Sequence, residues 1–344
     1  MFLPITANII PSGMDIDVRA AYEHIRERVY RTPLEPSDWL SELAGRPVLL
    51  KLENRQETGS FKARGALNFL LQLSPDERAR GVVTASAGNH GQAVAWAAAR
   101  LGIPATVVLP LDAVPVKVAR TRSWGATVVE HGHGYDEAHR RAERLAAETG
   151  AVYAPAFDHP HVIAGQGTVA LEILEQRPDV VLIVAPVGGG GLIAGIALAV
   201  AGRPAGAPRV DVLGVQSDRT AAMYDALQAG HLVPTATPPT LADGLAGEIC
   251  QTTLDLCRVL GVPVRVVPEE SILPAIGETL LREHLAVEGS AAVAVAAVLQ
   301  GLLPRGGNGP VALVLSGGNV DPDVLAQAVA VVGRQEQEEG ETAP

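Results

Sequence analysis

From Gly81 onward, short apolar runs alternate with longer amphipathic ones, and this alternation constrains the fold more than any other feature of the chain. Val82-Val83-Thr84, Ala105 to Leu109, Thr127-Val128-Val129 and Val152-Tyr153 read as buried strands. Between them, Gly91 to Leu101, Val114 to Ser123 and Tyr135 to Glu148 read as helices. A helix over Ile163 to Glu175 leads into a second series. Its strands are Val180 to Val184, Val210 to Val215, Val264 to Val267 and Val311 to Leu315. Its helices are Leu192 to Ala201, Thr220 to Ala229, Glu269 to Glu283, Ser290 to Leu299 and Asp321 to Val332. Strand and helix spacing of this kind predicts right-handed crossovers and a parallel sheet in an α/β fold. The first block forms a compact subdomain of about four strands. Ahead of it, residues 1–13 read as an irregular arm. Ile16 to Val29 reads as an amphipathic helix, and Pro47 to Leu52 as a strand. Leu232 to Thr240, with three prolines, reads as a surface loop, and 335–344 as an acidic, disordered tail.

Composition excludes several function classes. A chain of 344 residues with 47% hydrophobic and 19% charged residues can bury a large core of about two domains. Aromatics are 3%, so Ala, Val, Leu and Gly must fill that core. A net charge of -11 argues against a nucleic-acid partner, which wants a basic face. The most apolar runs are shorter than a membrane span and rich in glycine, and the N-terminus lacks a basic, apolar leader. Cys250 and Cys257 match neither a zinc spacing nor a CxxC pair, which points to reduced thiols in a cytoplasmic protein.

Only three of the 27 basic residues are lysine: Lys51, Lys62 and Lys117. Arginine keeps its proton near neutral pH, whereas a desolvated lysine can lose it and attack a carbonyl. Lys62 follows Thr58-Gly59-Ser60-Phe61 and opens an apolar-periodic run, so it sits near a helix N-terminus, whose dipole disfavours its charged form. It is either a solvated lysine in a helix's first turn or such a nucleophile. Gly188-Gly189-Gly190-Gly191 follows a strand and precedes a helix. It is either a phosphate cradle built from converging N–H groups or a tight, closely packed turn. It lacks the GxGxxG pattern with a later acid that a nicotinamide cofactor needs, and the Lys-Ser/Thr ending of a nucleotide P-loop. Ser86-Ala87-Gly88-Asn89-His90 is a second such turn, suited to a carboxylate or to an ordinary cap with a satisfied His90. Ser316-Gly317-Gly318-Asn319 is a third. Ligands of open parallel sheets collect at the carboxyl ends of strands, where all three lie.

Ser60-Phe61-Lys62, Ser86-Ala87-Gly88-Asn89-His90-Gly91, Gly165-Gln166-Gly167-Thr168, Pro186 to Leu192 and Ser316-Gly317-Gly318-Asn319 occur here in a familiar order. Together they resemble threonine/serine dehydratases and serine racemases, the tryptophan-synthase-β-like (fold type II) pyridoxal phosphate enzymes. The resemblance runs from about Val29 to Val332. It implies two open, mostly parallel twisted sheets flanked by helices. A large domain (1–72 plus 157–334) would hold the cofactor, and a small domain (73–156) would close over the substrate. It implies pyridoxal 5'-phosphate carried by Lys62, which would also be the catalytic base. Phe61, Asn89, Gly188, Gly189, Gly190, Gly191, Leu192, Glu288 and Ser316 would contact the cofactor. Ser86, Ala87, Gly88, Asn89 and His90 would hold the substrate carboxylate.

The implied reaction is the ammonia-lyase (dehydratase) conversion of an L-β-hydroxy amino acid, L-threonine or L-serine first, to a 2-oxo acid and ammonia. A cytoplasmic homodimer or homotetramer with a small amino-acid substrate is expected. Departures bear on the chemistry. Ala87 stands where racemases carry a second serine, and Gln216 and Ala222 stand where their divalent-cation site has acids, so no metal is expected. The usual Glu-Pro pair is Glu288-Gly289. Other readings stay open. A racemase is opposed by Ala87, a cysteine-synthase-like replacement enzyme by His90, and a non-enzymatic binding module by Lys62. Dehydratases of 3-hydroxyaspartate, phenylserine or a hydroxyectoine-derived substrate also fit.

Overall fold

The computed structural model describes residues 16–342 except 112, 114, 237, 305, 306 and 308. The arm expected over 1–13 lies outside the described residues. In chain order the elements are α1 (Val18–Ile25), β1 (Leu34–Ser37), α2 (Asp38–Ala44), β2 (Val48–Lys51), α3 (Lys62–Leu71), α4 (Pro75–Arg80), β3 (Val82–Ala85), α5 (Asn89–Leu101), β4 (Ala105–Leu109) and α6 (Pro115–Ser123). There follow β5 (Thr127–Glu130), α7 (Gly134–Thr149), β6 (Val152–Tyr153), α8 (Pro160–Gln176), β7 (Leu182–Pro186), α9 (Gly191–Ala201), β8 (Asp211–Ser217) and α10 (Ala222–Ala229). The chain ends with α11 (Gln251–Val259), β9 (Val264–Val267), α12 (Ile272–Glu283), α13 (Gly289–Leu299), β10 (Val311–Val314) and α14 (Pro322–Thr342).

Two sheets result. The six-stranded sheet has order β1-β2-β10-β7-β8-β9, and the four-stranded sheet β5-β4-β3-β6. Every pairing is parallel except β1 with β2. Pro36 lies in β1, an edge strand, where its missing N–H interrupts no ladder on the outer side. The two faces of the larger sheet carry separate apolar cores. One is lined by α1, α8, α9 and α11, the other by α2, α12 and α13. Small residues let helices approach closely, which the low aromatic content requires. A Cβ on Gly195 would lie 2.4 Å from the Ile163 carbonyl, and one on Gly165 would lie 2.7 Å from the Arg64 carbonyl. The Gly165-Gln166-Gly167 stretch is therefore where α8 meets both α3 and α9.

Two expectations need correction. Residues 335–342, assigned above to a disordered tail, continue α14. Glu and Gln are good helix formers, so an acidic run extends a helix already nucleated against α12. The helix expected over Glu269 to Glu283 begins as a 3-10 turn, Glu269–Ser271, and becomes α-helical at Ile272.

Candidate active site

The carboxyl ends of β2, β3, β7 and β10 converge on one cleft. After β2 the chain makes a 3-10 turn, Glu53–Arg55, and runs alongside the segment that follows β10. Asn54 N–H donates to the Leu315 carbonyl (2.8 Å), Phe61 N–H to the Ser316 carbonyl (3.0 Å), and Gly318 N–H to the Gly59 carbonyl (2.9 Å). Ser60 and Gly317 form an isolated antiparallel bridge. The turn that delivers Lys62 is thereby fastened to Ser316-Gly317-Gly318-Asn319, more than 250 residues away in the chain.

Lys62 is the first residue of α3. Its Nζ donates to the Ala156 carbonyl (2.8 Å) and lies 5.3 Å from the Phe61 ring centre. Burial pulls the amine down to about 8, while the Glu288 charge acts to raise it. The next residue after Ala156 is Phe157, whose ring covers the glycine loop: a Cβ on Gly189 would sit 2.5 Å from it. Segment 154–157 thus runs from His90 past Lys62 to Gly188–Gly191. At its near end, His90 Nε2 lies 3.0 Å from the Ala154 carbonyl, which also accepts from Thr84 Oγ1. A carbonyl only accepts, so the ring proton sits on Nε2. Burial, then the nearby Lys62 charge, pull His90 down to about 3, so it is neutral.

The glycine loop precedes α9, with Gly190 at φ 93° as its N-cap residue. Thr253 Oγ1 donates to the Gly189 carbonyl from behind (2.8 Å). Among the described residues, the N–H groups of Gly188, Gly189, Gly190 and Gly191 meet no acceptor. Leu192 is buried in the first turn of α9. The opposite wall comes from α5 and the segment after α12. Asn89 Nδ2 donates to Glu288 Oε1 (2.7 Å), and Asn319 Nδ2 donates to Asn89 Oδ1 (2.7 Å). Glu288 folds over Gly317, where a Cβ would lie 2.3 Å from Oε1. Ser316 is buried, and its hydroxyl makes no hydrogen bond among the described residues.

The turn 86–90 differs from the expected cap. Ser86 Oγ accepts the Gly88 N–H (3.1 Å), and α5 starts at Asn89 without a side-chain cap. The N–H groups of its first turn stay available for an anion. Ala87 is half-buried and packs against the Ala95, Val107 and Leu109 cluster. Gln216, where racemases by resemblance carry an acid, is fully buried. Its Nε2 donates to the Val187 and Thr220 carbonyls (3.0 and 2.6 Å), and its Oε1 accepts from Tyr224 N–H (2.9 Å).

Lys62, Phe61, Asn89, Glu288, Ser316 and the glycine loop are therefore brought together, with turn 86–90 on the same rim. Sequence reasoning passed over the Ala154–Phe157 rail and the role of Asn319. The rail works through main-chain carbonyls, which leave no mark in the residue types. Asn319 stood inside a recognised motif and was the one signal available.

The model of the family described as "Pyridoxal-phosphate dependent enzyme" matches residues 25–317. An L-threonine ammonia-lyase of Thermotoga maritima is 44% identical over 317 residues, 91% of this chain and 77% of that one. The catabolic L-threonine dehydratase TdcB of Escherichia coli K12 is 37% identical over 325 residues, 94% and 98% of the two chains. Among solved structures, maize serine racemase superposes with TM-score 0.86 at 33% identity, covering 95% of this chain and 99% of that one.

Proposed function

The chain belongs to the pyridoxal-phosphate dependent enzymes, and from that premise we propose that it is a threonine ammonia-lyase, releasing a 2-oxo acid and ammonia from L-threonine and, as a second substrate, L-serine. The names and coverage of its relatives support the reaction class. The observation that carries it is the desolvated Lys62 amine, hydrogen-bonded to Ala156 beside a loop whose four N–H groups lack acceptors among the described residues.

The residues fit the cofactor. Unaccepted N–H groups at the start of α9 suit a phosphate dianion. Among the described residues the Ser316 hydroxyl and the buried Ser60 Oγ, on two facing segments, have no hydrogen-bond partner. Gly188–Gly191 and Leu192 N–H would hold the phosphate. Lys62 would hold the carbonyl carbon, Phe61 the ring face, and Ser316 the ring nitrogen. Asn89, oriented by Glu288 and Asn319, would hold the ring oxygen. When bound, pyridoxal phosphate supplies the sink for the electron pair left at the substrate's α-carbon.

This chain's own residues do the rest. First-turn N–H groups of α5, with Ser86 and Gly88 ahead of them, bind and orient the substrate carboxylate. Lys62 Nζ, once free, takes the α-proton. Burial keeps a good fraction of it neutral near pH 8, the state a base requires. His90 is a neutral donor that holds the 154–157 rail in register and carries no proton in the reaction. The small unit, 73–156, closes over the substrate and excludes water. The enzyme is of the cytoplasm, a reading supported by its two free thiols, and a homo-oligomer, which light scattering checks.

A racemase reading draws on the likeness to maize serine racemase. Position 87, which by resemblance lies on the second face of the substrate, opposes it, because a methyl cannot return a proton there. The test is direct. Purified protein should absorb near about 400–430 nm, and borohydride followed by peptide mapping should mark Lys62. L-threonine should give 2-oxobutanoate with almost no D-allo-threonine on chiral chromatography. Label on Lys51 or Lys117, or D-amino acid forming as fast as oxo acid, would overturn the reading. Ala87→Ser is the variant in which racemisation should appear.

A further inference from the structure

Behind Lys62 lies a second polar cluster with no access to the cleft. Lys51, Glu53, Arg64 and Glu172 are each at most 1% exposed, two cations and two anions in the core. Arg64 grips Glu53 through Nε and Nη2 (both 2.8 Å) and Glu172 through Nη1 and Nη2 (2.7 and 2.8 Å). Its Nη1 also reaches Thr168 Oγ1 at 3.3 Å. Lys51 Nζ donates to Glu172 Oε2 (2.7 Å), the Thr32 carbonyl (2.7 Å) and Gln176 Oε1 (3.1 Å). Thr32 Oγ1 donates to Glu53 Oε1. Every guanidinium and ammonium proton therefore has an acceptor.

A buried ion pair is weak evidence of stabilisation, because desolvation offsets attraction. What such a cluster does give is fixed geometry. The planar guanidinium spans two carboxylates at once, which a lysine ammonium cannot do. Arg64 is two residues beyond Lys62 in the first turn of α3. At about 100° per residue the two side chains leave the helix on opposite sides. Lys62 faces the cleft while Arg64 fastens the back of the same turn to β2 and α8. The Gly65 N–H adds a bond to Gln166 Oε1 (3.1 Å). Among the described residues no side chain caps this helix, so these attachments, with the Phe61–Ser316 backbone bond ahead of it, set its rotation and height. The cluster pairs two cations with two anions, and the charge that acts on the Lys62 amine is Glu288.

We propose that Arg64 is a positioning residue for Lys62, acting through the closed Lys51–Glu172–Arg64–Glu53 cluster to aim the amine at its carbonyl partner. The proposal rests on the reading that Lys62 carries the cofactor, and the experiment separates the two. Full-length protein is stripped of cofactor and reloaded with pyridoxal phosphate. The absorbance rise gives the capture rate, and borohydride with peptide mapping gives the lysine. Arg64→Lys should still be labelled at Lys62. Its capture rate and kcat should each fall by about tenfold to a hundredfold, as expected when a reacting group is misplaced by about 1 Å, with KM little changed. Glu53→Gln, equal in shape, should move both rates the same way by less. Ile173→Ala, in the apolar core of α8, should lower the unfolding midpoint and leave capture unchanged. If Arg64→Lys does not fold, Glu53→Gln decides alone. Capture at the wild-type rate with Lys62 labelled would overturn the proposal. Label on another lysine in the wild type would instead overturn the reading of Lys62 itself.

Discussion

Lys62 and His90 share one rail of backbone and titrate in opposite regimes, which gives each a distinct pH signature. Burial lowers the Lys62 amine to about 8 against an ordinary 10.5, and Glu288 raises it. Removing the Glu288 charge should therefore lower it further. In cofactor-free protein, the rate of Lys62 modification by an amine reagent should rise through about pH 8, and Glu288→Gln should move that midpoint to lower pH. A midpoint near 10.5, or an upward move, would contradict the geometry. Between those two values the unfolded chain holds a proton that the native amine has lost, so stability rises with pH across that window. His90 behaves differently. Its ordinary value is 6.5, and burial lowers it to about 3. Between the two, the unfolded chain binds a proton the native state refuses, so stability falls as pH drops from 6.5 toward 3. His90→Gln can still donate to Ala154 and has nothing to titrate. The wild-type advantage over it in urea unfolding should shrink between about pH 7.5 and pH 5. An advantage that stays constant would mean that His90 is not held neutral.

At the scale of elements, the glycine loop shows what local sequence can and cannot convey. Gly190 has φ 93°, and a Cβ there would lie 2.7 Å from both Met223 Cε and Thr253 Cβ. Gly190→Ala therefore meets backbone strain of about 1–3 kcal/mol together with a clash. It should weaken cofactor retention on dialysis and lower the unfolding midpoint, and a fully loaded, equally stable variant would refute this. That loop was legible because strand, glycines and helix are adjacent in the chain. The β-strands from β3 to β10 were legible for the same reason, as short valine-rich or otherwise largely apolar runs between turns. β1 was not: Leu34-Glu35-Pro36-Ser37 has no alternation, and only pairing with β2 makes it a strand. Two short helices, α2 and α4, start from Ser37 and Ser74 caps too brief to carry a period. The buried charge cluster was illegible too. Its members come from β2, the turn after it, α3 and α8, and nothing in Lys51-Leu52-Glu53 distinguishes a buried lysine from an exposed one.

At the scale of the molecule, the four-stranded sheet is built from residues 82–153 and the six-stranded one from segments on either side, so the cleft is also a seam. One relay of side chains crosses it. Arg120 Nη1 donates to Asn319 Oδ1 (3.1 Å), and Asn319 Nδ2 donates to the Thr58 carbonyl (2.9 Å) and to Asn89 Oδ1 (2.7 Å). Asn89 Nδ2 then donates to Glu288 Oε1 (2.7 Å). An arginine only donates and a carboxylate only accepts, so both amides between them are fixed in orientation. Asn89 and Arg120 belong to the smaller unit, while Thr58, Glu288 and Asn319 belong to the larger. Asn319 is thus the link that registers turn 86–90, and with it the substrate carboxylate site, on the Lys62 turn. Asn319→Ala removes three bonds, each worth about 0.5–1.5 kcal/mol net. KM for L-threonine should rise by about tenfold, with kcat reduced less. Asn319→Asp is the sharper variant. It keeps the acceptor for Arg120 and loses the donor for Thr58 and Asn89. If the donor is what matters, Asp should be as impaired as Ala despite the ion pair it gains with Arg120. If Arg120 matters most, Arg120→Ala should match Asn319→Ala while Asn319→Asp behaves as wild type, and steady-state kinetics on the three variants decides between them.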